Sequence, residues 1–116
     1  MVQNIDLRPT FEDTANAQKP SCVDGVSFLR TPTTGAPFLR RYALSESLGG
    51  ARSWRAVYDA EEACHIWGNG VQGYYEVTAD RYQLESTPDY PHAALMHRVL
   101  VRMKDCDGAQ CRTPGP

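Results

Sequence analysis

The residue types that could carry chemistry in this chain are four cysteines and three histidines, so a thiol nucleophile and a metal site are the first chemistries to weigh. Cys106 and Cys111 flank the turn-forming stretch Asp-Gly-Ala-Gln. That spacing suits two corners of a zinc tetrahedron, a disulfide, or two plain structural thiols. The sequence offers no second cysteine pair at short spacing. His92 and His97 are five apart, on opposite faces of a strand or about 140° apart on a helix, and do not form a two-histidine site. Cys22 and His97 stand in the order used by small papain-like cysteine hydrolases, thiol first and histidine entering a later strand. No third side chain is identifiable to orient that histidine, and Gly25 and Pro32 leave little room for a helix to activate the thiol.

Three further motifs fall short of their chemistry. Gly68, Gly70 and Gly73 match G-x-G-x-x-G, but the pattern predicts a helix before them and a strand after. A phosphate cradle needs the reverse order. Asp105-Cys-Asp-Gly lacks the third acidic ligand and the closing glutamate of a calcium loop. Asp59, Glu61 and Glu62 fit the first turn of a helix, where carboxylates complement the dipole. The sequence therefore assigns no catalytic residue, no metal and no cofactor.

What remains is a pairing of arginine with aromatics. The chain has 10 Arg against two Lys, and Arg, Tyr and Trp are the types that dominate interface hot spots. Arg52, Arg55, Tyr58, Tyr74, Tyr75, Tyr82, Arg98 and Arg102 form the expected partner-binding set, while Trp54 and Trp67 are expected to pack the core. Arg98 and Arg102 share a face whether their segment is helix or strand.

The elements that position these residues are read as follows. Residues 1–25 form an irregular arm, 26–105 a globular α+β domain, and 106–116 a loop-like tail. Val26 to Arg30 and Phe38 to Leu44 flank TPTTGAP as a loose hairpin. Asp59, with Glu62 three residues on and Gly68 at the end, predicts a short helix whose Ala60, Ala63, Cys64 and Trp67 face inward and whose His65 lies on the flank. Residues 73–78 and 81–86 alternate as a two-stranded ribbon. Residues 93–104 satisfy both templates; their β-branched run favours a third strand completing an antiparallel meander over a helix started by Pro91.

A chain of 116 residues is a single small domain, too short for a TIM barrel, a kinase or a paired dinucleotide fold. Its net charge of −2 does not favour nucleic acid. Its apolar runs fall far short of the ~20 residues that cross a membrane. With no basic start followed by an apolar stretch, the reading is a cytoplasmic chain with reduced thiols. The expected function is non-enzymatic: a small subunit or inhibitor docking on a larger protein or complex through the arm and the Arg/Tyr residues. A cysteine hydrolase and a zinc-stabilised binding module are the alternatives.

Overall fold

A computed structural model describes residues 1–35, 40–87 and 89–112. Residues 36–39 and 113–116, within the expected hairpin and the tail, lie outside them. The architecture is α+β. A four-stranded antiparallel sheet runs in the order β1 (Ala43–Ser47), β2 (Trp54–Tyr58), β3 (Glu62–Trp67) and β4 (Gln72–Glu76). One face is covered by a helix. N-terminal to the sheet come a 3₁₀ turn (Asn4–Asp6), helix α1 (Leu7–Thr14) and the short α2 (Arg30–Thr34); α3 (Ala93–Lys104) and α4 (Ala109–Arg112) follow it.

The meander is present, but its strands are not those expected. Residues 62–67 form β3, not a helix. The Asp59 signal is local hydrogen bonding put to another use: its Oδ1 accepts the amides of Glu61 and Glu62, and its own amide donates to Glu62 O, closing the tight β2–β3 turn. The same residues also alternate with period two, and pairing on both sides selects that pattern, with Val57 opposite Cys64 and Cys64 opposite Tyr74. The Gly68–Gly70 stretch is the next hairpin turn, with Gly70 at φ +82° and Asn69 Oδ1 accepting the Val71 amide. Residues 81–86 are not a strand. Gln83 is left-handed at φ +55° and Asp80 Oδ2 holds the Glu85 amide, so the ladder ends and the chain curls.

Residues 93–104 are a helix, not the expected third strand of the meander. Met96, Val99, Leu100 and Met103 repeat at i, i+3, i+4 and i+7, and all four are buried against the sheet. They meet Tyr42, Val57, Cys64 and Tyr74 in the core. The sheet face needed an apolar cover, which decided between the two templates.

The N-terminal arm holds a 3₁₀ turn and α1, and buried polar contacts pin it to the body. Asp6, fully buried, accepts the amides of Gln3 (2.9 Å) and Val26 (2.8 Å) and a two-point contact from buried Arg40, at 2.5 Å from Nη2 and 3.2 Å from Nε. Gln3 Nε2 donates to Leu44 O on β1. Gly25 lies against Ile5, where a Cβ would come within 2.0 Å of its carbonyl oxygen.

Candidate functional site

The strand period places two different surfaces back to back. Leu44, Val57, Cys64 and Tyr74 point toward α3. Trp54, Tyr58, His65, Trp67 and Tyr75 point to the other side. His65 sits at the middle of these rings, stacked with Trp54 and Trp67 at centroid distances of 6.2 and 5.6 Å and edge-on to Tyr58 and Tyr75 at 5.5 and 5.3 Å. Gly73, opposite His65, makes this possible: a Cβ there would fall 2.8 Å from both the Trp67 ring and the Tyr75 hydroxyl. Burial lowers the His65 pKa, a Gln83 hydrogen bond opposes that more weakly, and Nε2 is buried without a partner. The cluster sets an imidazole among four aromatic rings, where burial favours its neutral form.

The expected partner-binding residues do not share a surface. Tyr74 is in the core at 1% exposure, stacked on Tyr90, with burial and the adjacent Glu62 raising its pKa. Tyr75 is buried in the His65 cluster, and Tyr58 is half-buried beside it. Tyr82 is 79% exposed in the loop after β4. Arg98 and Arg102 lie on the exposed side of α3, as a four-residue spacing requires. Arg52 precedes β2, and Arg55 extends on the α3 side of β2, paired with Glu46 at 2.6 Å. Of the tryptophans expected in the core, Trp54 and Trp67 are half-buried on the far face.

The cysteine readings separate cleanly. Cys106 and Cys111 form a disulfide, so the expectation of four reduced thiols is corrected and neither sulfur is available as a zinc ligand. The loop they close packs back on the N-terminal region, Gly108 donating to Asp24 Oδ1 at 2.6 Å. Cys22 is exposed on that neighbouring loop, whereas His97 lies on α3 near Cys64 and Gln72. No hydrogen bond joins Cys22 and His97 among the described residues. Cys64 is buried, and burial pushes its thiol up to about 11, which makes it inert at neutral pH.

Sequence reasoning missed the His65 cluster and the Asp6–Arg40 pin. The first was legible in the alternation of Ala63, His65 and Trp67. The second joins residues 34 apart, and no local signal could have found it.

The N-terminal arm leaves apolar surface open. Leu7 and Phe11, one turn apart on α1, are 44% and 66% exposed, and Val2 and Ile5 are exposed beside them. Pro9, on the opposite side of the helix from both, is buried, and so is Thr10.

No family model and no curated protein matches the chain. Solved structures do. The chain aligns with a candidate sulfatase from Bacteroides thetaiotaomicron VPI-5482 at TM-score 0.65 and 22% identity over 93% of its own length. It aligns equally with a 2-O GAG sulfatase. A third, solved in complex with its substrate D-glucosamine-2-N,6-O-disulfate, gives TM-score 0.69 and 18% identity over 84% of the chain. The fold is one found within sulfatase chains. The matched region is 28%, 28% and 22% of those proteins, so this chain spans about a quarter of their length.

Proposed function

We propose that this chain is a non-catalytic docking unit, seated through its N-terminal arm on a larger body of the sulfatase kind that acts on sulfated sugars. The observation that carries the reading is the apolar stripe on α1. An eight-residue helix is marginal alone, and it keeps Leu7 and Phe11 toward water while Asp6 before it and Thr10 on it hold the amides of Val26 and Phe28. The likeness to about a quarter of each much longer sulfatase chain supplies the nature of the body on which such a stripe would close.

No helix among the described residues is long and apolar enough to cross a membrane. The Cys106–Cys111 disulfide favours an oxidising compartment over the cytoplasm.

The test is to isolate the chain from its native cells with an antibody to its α3 face and assay sulfate release from D-glucosamine-2-N,6-O-disulfate. The proposal expects a species several times larger than 12.9 kDa that carries the activity. A free, inactive chain of 12.9 kDa would overturn it.

A further inference from the structure

We propose that Cys22 is the attacking thiol of a disulfide switch, which exchanges the Cys106–Cys111 bond for a Cys22–Cys111 bond and so ties the loop after α1 to α4. The proposal stands on the placement of three sulfurs and does not use the likeness to sulfatases. Cys22 is free and exposed, and the loop closed by the disulfide lies against its backbone. The Gly108 amide donates to Asp24 Oδ1 at 2.6 Å, between residues 84 apart. A Cβ on Gly108 would fall 2.7 Å from Ser21 O and 3.8 Å from Cys22 Cα, and its φ of +55° is one that glycine adopts freely. Asp24, Cys106 and Cys111 border one cavity of about 390 Å³.

The exchange needs no outside oxidant. The Cys22 sulfur, as thiolate, attacks Sγ of Cys111. The Cys22–Cys111 bond forms as the Cys106–Cys111 bond breaks, and the electron pair goes to the Cys106 sulfur, which takes up a proton in place of the one Cys22 released. Two sulfurs stay oxidised and one reduced throughout. Position favours Cys106 as the leaving thiol: its sulfur lies 3.1 Å from Met103 O, and a released thiol has a hydrogen to donate there where a disulfide sulfur has none. Cys111 has room to move. Helix α4 is a single turn, held by bonds of 3.2 Å from Gln110 N to Asp107 O and from Cys111 N to Gly108 O, so it can swing toward Cys22 while the sheet stays intact. The consequence is mechanical. Cys106–Cys111 joins residues five apart, whereas Cys22–Cys111 closes a ring of most of the chain, which restrains the unfolded state far more and fastens the N-terminal arm to α4.

Cys106→Ser removes the leaving sulfur and tests the reach directly. Held in a glutathione redox buffer, the variant, shown to be folded by circular dichroism, should form the Cys22–Cys111 disulfide at least about tenfold over glutathione adducts on those two cysteines, read as linked peptides after acid quench and digestion. The wild-type chain, incubated at pH 8 and quenched in acid, should yield the same linked peptides with Cys106 alkylated, and Cys22→Ser should yield none. Cys64 is the control for unfolding, since it is buried and exchange within the folded chain leaves it free. Three results would overturn the switch: glutathione adducts alone on the folded Cys106→Ser chain, a wild-type chain that carries only Cys106–Cys111, or linked peptides of Cys64 as abundant as those of Cys22.

Discussion

Replacing Asp6 by alanine tests the account of how the arm is held. The Asp6 carboxylate is fully buried and takes four hydrogen bonds, two of them from a guanidinium whose side chain is 1% exposed. Asp6→Ala leaves Arg40 charged, buried and unpaired, with a Nη1 that already lacks a partner. Breaking a buried pair in this way costs about 3–5 kcal/mol. The amides of Gln3 and Val26 also lose their acceptor; these losses overlap with the first and do not add to it. Against a total of roughly 5–15 kcal/mol for a small domain, this is a large fraction. With a urea m-value of about 2 kcal/mol/M, the midpoint should fall by roughly 2 M. The loss should persist in high salt, since a buried pair is hardly screened. Asp6→Leu with Arg40→Met removes both charges and should recover most of the loss. A fall of less than about 0.5 M in the single variant, or a double variant no better than the single, would refute the reasoning.

Three further outcomes follow from the same structure. Leu100→Ala, at a fully buried core position under the sheet, should cost about 2–5 kcal/mol in denaturant unfolding, and a loss below about 1 would contradict the packing described. Burial lowers the folded-state pKa of His65, so the unfolded chain binds the proton more readily; the stability this group contributes is complete above the ordinary histidine pKa near 6.5 and is lost as pH falls toward the lowered value. The wild-type melting temperature should thus fall more steeply than that of His65→Phe between about pH 7 and pH 5, and parallel slopes would contradict it. With a pKa of about 11, Cys64 is thiolate in only about one molecule in a thousand at pH 8, so a thiol reagent should label one cysteine, Cys22, in the folded chain and a second only on unfolding. Two rapid equivalents would sink that expectation.

The α+β class and the antiparallel meander were legible in the sequence because turn residues and period-two alternation are local signals. Their assignment to segments failed where one local pattern served two structures. Asp59 and Glu62 make hydrogen bonds of the kind that cap a helix, yet they make them in a hairpin turn. Residues 93–104 carried both periods, and only the apolar face of the finished sheet chose the helix. The candidate surfaces were legible as residue types but not as places. Tyr74 and Tyr75 are adjacent in sequence, and adjacency in a strand sends them to opposite faces, one into the core and one into the His65 cluster. Arg55 and Lys104 come together at one groove from a strand and a helix 49 residues apart, which only the tertiary fold reveals.

The proposal that the arm docks on a larger body is tested most directly by hydrogen exchange over residues 4–14, compared between the species isolated from native cells and the 116-residue chain alone. The account predicts that amides of α1 exchange at least about tenfold more slowly in the native species, because the side bearing Leu7 and Phe11 is covered there, while amides of β2 and β3 exchange alike in both. Equal exchange of α1 in the two samples would contradict it.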